Sequence, residues 1–215
     1  MLEARVLGVL VEKEKTVPDS YPLSLNALVL GCNQKTARDP VLAATDAEVQ
    51  SAIDALKALN LVFEASGSRV TRYEHNAARA LGLPSQSVAL LAVLALRGPQ
   101  TASELRANTE RLLRFADLSS VEAFLDELAE RPHDKGGALV MKLPRAPGAR
   151  EQRWTQLLGG AIDITTLPVS AAHDDFVATH EIAALRDRQA AMHSEITELR
   201  ALVERLYGEL GVART

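Results

Sequence analysis

One stretch, residues 45–75, constrains the fold of this chain more than any other. It opens with Thr45 and Glu48, whose Thr-x-x-Glu spacing is typical of a capping box at the start of a helix. Apolar residues then recur at helical spacing until Asn60 ends the helix. Two β-rich segments follow around the Ser-Gly-Ser of residues 66–68, which predicts a hairpin. A helix followed directly by a hairpin forms the last part of a winged helix-turn-helix, so the stretch indicates a nucleic-acid-binding or regulatory domain.

The residues before this stretch complete such a domain. Apolar residues at helical spacing predict a first helix over residues 2–14 and a second over Leu25–Cys32, with Ser24 as its cap. A breaker segment at 17–22 separates these helices, and a longer connection, 34–44, leads to the third. Three helices and a hairpin predict a first winged-helix domain over residues 1–80.

The same pattern returns in residues 81–158. Val121 and Leu125 repeat the spacing of Val49 and Ile53 in the third helix of the first copy. Two copies of one unit predict tandem winged-helix domains more strongly than either copy alone. The fold class is therefore expected to be mainly α with small β-hairpins (α+β).

The elements of the second copy are also marked in the sequence. A strongly apolar segment, 87–97, predicts its first helix, and Thr101 with Glu104 forms a second capping box. The third helix begins at either Asp117 or Ser119. The second hairpin is expected from two β-rich runs, residues 138–143 and 152–157.

After a predicted linker, 159–173, residues 174–211 predict a long C-terminal helix with an unbroken heptad pattern. Branched residues dominate the a positions and leucine the d positions, which favours a parallel homodimeric coiled coil. Glu181 opposite Arg186 of a second copy would add a charge pair of opposite sign. The alternative is an amphipathic helix that packs back on its own domains. The predicted dimerisation residues are Ile182, Leu185, Gln189, Met192, Ile196, Leu199, Val203, Leu206 and Leu210.

Composition places the chain in the soluble globular class. Hydrophobic residues make up 47% and aromatic residues only 4%, which suits helices with aliphatic cores. The single cysteine, Cys32, excludes an internal disulfide and fits a reducing cytoplasm. The N-terminus does not have the pattern of a signal peptide, and no segment reaches the roughly 20 apolar residues of a membrane span. We therefore expect a cytoplasmic protein.

The acidity of the chain is concentrated in its tail. Residues 1–80 carry 9 basic and 10 acidic residues, residues 81–160 carry 10 and 9, and residues 161–215 carry 5 and 9. The two candidate domains together are therefore neutral. A strong non-specific DNA binder is usually more basic than this.

The sequence contains no recognisable catalytic or metal-binding pattern. No histidine lies at metal-ligand spacing from another histidine or from Cys32, and no glycine-rich phosphate loop is present. Cys32 lies on the apolar stripe of the second helix, which favours packing over reactivity. We expect no cofactor, no metal and no enzymatic activity, because tandem domains without such a site indicate binding.

Basic residues cluster in places where winged helices meet phosphates. They lie between the second and third helices and around both hairpins, where guanidinium groups can bind phosphate in bidentate fashion. The alternative is that they are solvated loop charges. The third helices offer little else, because acidic residues dominate their exposed faces. The candidate nucleic-acid or partner-binding residues are Lys35, Arg38, Gln50, Lys57, Arg69, Arg72, Lys142, Arg145, Arg150 and Arg153.

Two further motifs resemble a known family. The segment YPLSLNAL at 21–28 and the segment CNQKTARDPV at 32–41 resemble the YceH family of bacterial proteins, as do parts of 3–13 and 69–75. The resemblance implies a tandem winged-helix fold with a C-terminal coiled-coil segment, and no assigned biochemical activity. Residues 33–39 then have two readings: a structured turn stabilised by Asn and Asp side chains, or a surface that binds phosphate or a partner.

Two functions remain open from the sequence. The first is a DNA-associated regulator that acts as a homodimer on double-stranded DNA. The alternative is a protein-interaction adaptor in which tandem winged helices and a coiled coil organise a complex. The acidic third helices and the neutral domains support the second reading.

Overall fold

The first half of the chain folds as three helices against a three-stranded antiparallel sheet. The computed structural model describes residues 1–65, 70–146 and 148–160. In chain order the first-half elements are α1 (Leu2–Thr16), a short 3₁₀ helix (Pro18–Ser20), β1 (Leu23–Ser24), α2 (Leu25–Cys32), α3 (Asp46–Ala58), β2 (Val62–Ala65) and β3 (Arg72–His75). The strand order is β1-β3-β2, with Leu23 opposite Tyr73 and Glu64 opposite the same residue on the other side.

Local sequence signals set the ends of these helices. The Thr45 hydroxyl accepts a hydrogen bond from the Glu48 N–H, and the Glu48 carboxylate accepts one from the Thr45 N–H, which completes the predicted capping box. The Ser24 hydroxyl caps α2 by accepting from the Ala27 N–H. Asn60, just beyond α3, adopts a φ of 56°, a left-handed conformation that asparagine tolerates better than most residues.

The second half repeats this order of elements. After a short helix, α4 (Ala77–Leu81), come α5 (Ser85–Arg97), α6 (Ala102–Thr109), α7 (Leu118–Ala129), a second 3₁₀ helix (His133–Lys135), β4 (Val140–Lys142) and β5 (Trp154–Gln156). β4 and β5 form an antiparallel hairpin. Gln100 bridges to Trp154 through two backbone hydrogen bonds, in the position that β1 holds in the first half. A complete capping box at Thr101 and Glu104 starts α6.

Helix α5 belongs to both hydrophobic cores. Val88, Ala92 and Leu96 lie on the face that joins the core of the first half, at i, i+4 and i+8. Leu90 and Leu94 lie on the other face and join the core of the second half. This explains why α5 is apolar on all sides, since a helix buried on two faces has no polar stripe.

Helix α1 is packed closely against two neighbours at glycines. A Cβ built on Gly31 of α2 would lie 2.6 Å from the Val9 Cγ1. A Cβ on Gly8 would lie 3.1 Å from the Ala92 carbonyl oxygen of α5. The absence of these side chains allows the three helix backbones to approach, and all residues from Ala4 to Val11 are buried.

The α+β fold class predicted from the sequence is confirmed, and most predicted elements agree with the structure to within a few residues. Asp117 is the cap of α7, which resolves the choice between Asp117 and Ser119. The sequence missed β1 and α4. The predicted domain limits stay predictions, and the C-terminal helix and its dimerisation residues lie outside the described residues. Among the described helices, none is long and apolar enough to cross a membrane.

Candidate nucleic-acid interface

An open groove runs along the first half, beside the N-terminal ends of two helices. It has a volume of about 460 Å³ and lies between α2, α3 and the strand β3. Ser24, Leu25, Asn26, Asp46, Gln50, Val70, Thr71 and Tyr73 line it. The groove is lined by residues of both α3 and β3.

Two of the predicted contact residues on α3 are held by neighbours in the fold. Gln50 donates to the Asp54 Oδ1 at 3.0 Å and accepts from the Tyr73 hydroxyl at 3.2 Å. Lys57 pairs with Glu64 of β2, and the hydrogen bond to Glu64 raises the pKa of Lys57. Neither residue is buried, so both remain on the surface, but their polar atoms already have partners.

Arg72 anchors the hairpin to the loop before β1. Its Nη1 donates to the Pro22 carbonyl at 2.7 Å and approaches the Ser20 carbonyl at 3.4 Å. The residue is half-buried. Arg72 therefore ties β3 to the 3₁₀ segment, and Arg69 lies outside the described residues.

Arg38 is a buried structural residue, which corrects its assignment as a phosphate contact. Its side chain has no exposed surface, and both carboxylate oxygens of Glu12 accept from it, at 3.1 and 2.6 Å. The remaining donors go to the Gly31 and Ala37 carbonyls and to the Gln34 Oε1. A guanidinium has five N–H donors, and all five are used. The exposed position that the sequence predicted for Arg38 is wrong, because α1 supplies a carboxylate from 26 residues away.

Burial and the arginine act in opposite directions on Glu12. Burial on its own would raise the pKa of Glu12, but the hydrogen bonds and charge of Arg38, with a contribution from Lys13, hold that pKa below its ordinary value. Glu12 is therefore ionised under ordinary conditions, and the pair is a charged one inside the fold.

The turn at residues 33–44 is closed by an asparagine. The Asn33 Nδ2 donates to the Ala44 carbonyl, and the Asn33 Oδ1 accepts from the Ala44 N–H, each at 2.8 Å. The structured-turn reading is thus confirmed for Asn33. The turn also contacts α5, since the Asp39 N–H donates to the Leu96 carbonyl at 2.8 Å.

Arg5, which is not among the residues predicted from the sequence, joins α1 to the same region. Only 2% of it is exposed, and its guanidinium donates to the carbonyls of Cys32, Ala95, Asp39 and Pro40. Cys32 ends α2 and Ala95 lies in the last turn of α5, so the charge of Arg5 faces the negative ends of two helices. Burial lowers the pKa of Arg5. A single sequence offers only one hint of this role, an arginine within the apolar run of α1.

Some basic residues of the second hairpin contact other side chains of the fold, and the others are exposed to solvent. Arg153 binds Glu104 in bidentate fashion at 2.9 and 3.0 Å and donates to the Pro99 carbonyl. The Lys142 Nζ lies 4.7 Å from the centre of the Trp154 ring, a cation–π contact. Arg145 and Arg150 are exposed.

Of the ten predicted contact residues, three are exposed and have neither an ion pair nor a cation–π contact in the described part of the chain. They are Lys35, Arg145 and Arg150. Of the nine that the structure describes, three stabilise a loop or strand instead of facing outward together: Arg38, Arg72 and Arg153. Whether the exposed ones bind nucleic acid stays a prediction.

Cysteine, histidine and acidic side chains are the potential metal ligands in residues 1–65, 70–146 and 148–160. No group of three potential metal ligands occurs there. Cys32 is fully buried, and burial raises the pKa of its thiol to about 11. The packing role expected for Cys32 is confirmed.

Comparisons with known proteins connect the chain to a set of bacterial sequences. The family model described as "Protein of unknown function, DUF480" matches residues 1–149. A UPF0502 protein of Leptothrix cholodnii is 60% identical over 214 residues, which cover 98% of this chain and 95% of that protein. A UPF0502 protein of Burkholderia pseudomallei strain 668 is 60% identical over 211 residues, 98% of this chain and 88% of its own. One of Methylibium petroleiphilum is 62% identical over 213 residues, 99% and 90% of the two chains.

Proposed function

The chain belongs to the DUF480 family, and we propose that it is a non-enzymatic, DNA-associated protein of the transcription-regulator kind. In this proposal each half is a winged helix-turn-helix domain, with α2–α3 and α6–α7 as the helix pairs and the two hairpins as wings. The family membership confirms the resemblance to uncharacterised YceH-like proteins found in the sequence.

The order of elements is the observation that carries this proposal. Each half has a helix, a short extended segment, two helices and an antiparallel hairpin, and the extended segment pairs with the second strand of the hairpin. In helix-turn-helix proteins the second helix of the pair lies in the major groove of DNA. The groove beside α3 and β3 supports such a contact surface in the first half.

The contacts proposed for DNA are mainly to phosphates. Lys35, Arg145 and Arg150 are exposed cations without an ion pair among the described residues, and each can meet a phosphate. Gln50 is the side chain on α3 best suited to a base edge. Because Gln50 is already hydrogen-bonded, we propose weak sequence discrimination and binding that depends strongly on salt.

A salt-titrated binding assay on genomic DNA fragments tests the proposal. We expect binding at low ionic strength that weakens as salt rises. The variant Arg145→Gln/Arg150→Gln should make the negative slope of log K against log salt shallower by about 2, since each phosphate contact contributes roughly −0.9. The control variant Arg79→Gln/Arg114→Gln removes two other exposed arginines and should leave the slope near the wild-type value. Absence of any salt-dependent binding at low ionic strength would sink the proposal.

A second function, a protein-interaction adaptor, is favoured by the surface of α7. This helix exposes Glu122, Asp126 and Glu127, and Glu130 is exposed directly after it. None of the four has an ion pair among the described residues. Negatively charged side chains on a helix repel DNA phosphates, but they can bind a basic partner. An affinity pull-down from the native cell that recovers no partner, together with tight sequence-specific DNA binding, would count against the adaptor.

We also propose that the chain forms a homodimer through residues 174–211, on the heptad pattern alone. Light scattering on the full chain and on residues 1–172 tests this. The full chain should have twice the mass of one copy, and the shortened chain the mass of one. Equal numbers of copies in the two samples would refute the coiled-coil dimer.

A further inference from the structure

The groove between α2, α3 and β3 has the size of a site for a small molecule. Its volume is about 460 Å³, and sites of this kind typically measure roughly 300–1,000 Å³. Helices α2 and α3 supply one group of lining residues, and β3 with the two residues before it supplies the other. A ligand in the groove can therefore contact side chains from three elements at once.

One polar side chain of the groove is held by the fold, and two others have no partner. Gln50 is held, because its Oε1 accepts from the Tyr73 hydroxyl at 3.2 Å and its Nε2 donates to the Asp54 Oδ1 at 3.0 Å. Asn26 and Asp46 make no hydrogen bond or ion pair to any residue that the structure describes, and both are exposed. The Asn26 amide and the Asp46 carboxylate are thus available to a ligand.

The charge of the groove determines which ligands suit it. Asp46 carries the only formal charge among the described residues that line the groove. A carboxylate accepts hydrogen bonds and donates none, and at short range it attracts a cation and repels a phosphate. A protonated amine meets both conditions, since it is positive and has donors but no acceptor.

Apolar side chains in the same groove suit the hydrocarbon part of such a ligand. Leu25, Val70 and Tyr73 are among the lining residues. Val70 is 59% exposed, so a ligand that covers it removes apolar surface from water. An amine on a short hydrocarbon chain combines the charge that suits Asp46 with the apolar surface that suits Val70.

We propose that this groove binds a small molecule that carries a protonated amino group, with Asp46 as the residue that binds the amine. The site itself does not depend on the proposed function. Helix α3 is also the helix proposed to contact DNA, so a bound amine weakens DNA binding. This second step rests on the proposed function.

NMR titration of the full chain with butylammonium chloride at constant ionic strength tests the site. Butanol and sodium butyrate carry a similar hydrocarbon chain with a neutral or a negative end, and they serve as matched probes. We expect butylammonium to shift the backbone signals of Asn26 and Asp46 in a saturable manner. The other two probes should bind at least about tenfold more weakly, because neither forms a charged pair with Asp46.

Three variants of the chain complete the test. Asp46→Asn should weaken butylammonium binding by about tenfold, since a neutral hydrogen bond replaces a charge-assisted one. Asp134→Asn, which changes an exposed carboxylate in the second half, should leave binding unchanged. Thr71→Trp places a large side chain in the groove and should block binding with Asp46 intact, which keeps the test decisive if Asp46→Asn fails to fold. The site is overturned by a lack of saturable binding, by equal binding of the three probes, or by binding that neither groove variant changes.

Duplex DNA binding, measured with and without saturating butylammonium at one ionic strength, tests the link to the proposed function. If the amine weakens DNA binding by the wild type but not by Asp46→Asn, the groove controls the DNA contact. If the amine binds and leaves the affinity for DNA unchanged, the site stands and its control of DNA binding is wrong. A chain that binds butylammonium through Asp46 but binds no DNA refutes the proposed function and keeps the site.

Discussion

At the scale of single residues, Arg38 and Glu12 place a charged pair inside the fold and join the 33–40 turn to α1. Charges removed from water are stable only when every donor and acceptor is satisfied. Arg38 meets that condition, because five acceptors surround its five donors. Arg5 uses backbone carbonyls alone, and four of its five donors are hydrogen-bonded to them.

We predict that Arg38→Met lowers the free energy of unfolding by about 3–5 kcal/mol. This is the usual cost of removing one member of a buried ion pair, because the other charge is left without a partner. Urea unfolding followed by circular dichroism measures this. Lys35→Met, in the same turn but exposed, should stay within about 0.5 kcal/mol of the wild type. A loss below about 1 kcal/mol for Arg38→Met would contradict the structural role, because a surface residue would behave in that way.

His75 joins β3 to α1 in a neutral form. Its Nδ1 accepts from the Ala77 N–H at 3.4 Å, so the proton of the neutral ring lies on Nε2, 3.4 Å from a Glu14 oxygen. That buried Nε2 has no hydrogen-bond partner among the described residues. The Tyr21 and His75 rings meet in an edge-to-face arrangement, with their centres 6.3 Å apart. Burial lowers the pKa of His75 most, and Lys15 lowers it further. The charges of Glu14 and Glu74 raise it in part.

This depressed pKa predicts a pH dependence of stability. A histidine whose pKa falls on folding stabilises the protein fully above its ordinary pKa of about 6.5, and that stability is lost as the pH falls through the folded value. Between pH 7 and pH 5 the wild type should therefore lose more unfolding free energy than His75→Gln. Urea unfolding of both proteins at the two pH values makes the comparison. Parallel losses would mean that His75 titrates as if exposed.

Residue-level prediction from the sequence succeeded where the signal is local. The capping boxes at Thr45 and Thr101 and the cap at Ser24 depend on neighbours within three residues, and all three are present. Arg38 could not be placed in this way, since the carboxylate that it pairs with belongs to Glu12 of α1, 26 residues away. A basic residue in a loop has the same appearance in a sequence whether it meets solvent or a buried carboxylate.

At the scale of elements, α1 is the helix that packs against both α2 and α5. Its close contacts to α2 and α5 depend on Gly31 and Gly8. Short elements were the ones missed: β1 has two residues and α4 five, too few for a periodic pattern to appear.

We predict that Gly31→Ala destabilises the protein by about 1–3 kcal/mol, because the added methyl group overpacks the α1–α2 contact. In an unhindered helix the same change would stabilise by about 1 kcal/mol, so the sign alone is informative. Val9→Ala should cost less in the Gly31→Ala background than in the wild type, since it removes the atom that the new Cβ meets. Denaturant unfolding of the four proteins of this double-mutant cycle gives both values. Additive effects would show that the helices do not touch there.

At the scale of the whole molecule, α5 makes one folding unit of residues 1–160. Its two faces complete two cores, so neither core is closed without it. Fold class and repeat were predictable from the spacing of apolar residues. The position of α5 in both cores was not predictable. A spacing pattern shows that a helix is buried, but it does not show which elements bury it.

Because both cores share α5, we expect a substitution that destabilises the core of one half to destabilise the core of the other half as well. Ile53→Ala removes a fully buried side chain of the first core and should cost about 2–5 kcal/mol. Trp154, the only tryptophan, reports on the second core. The fluorescence of Trp154 and the circular dichroism of the whole chain should therefore keep one common urea midpoint, shifted to lower concentration. A fluorescence midpoint left at the wild-type value would show that the halves unfold independently.

Crosslinking in living cells, with recovery of both the DNA and the protein bound to the chain, distinguishes the DNA-associated function from the adaptor. The DNA-associated function predicts enrichment of chromosomal DNA, which falls when Arg145 and Arg150 are both replaced by glutamine and persists with Arg79→Gln. Recovery of a protein partner with DNA at background level would contradict it and favour the adaptor.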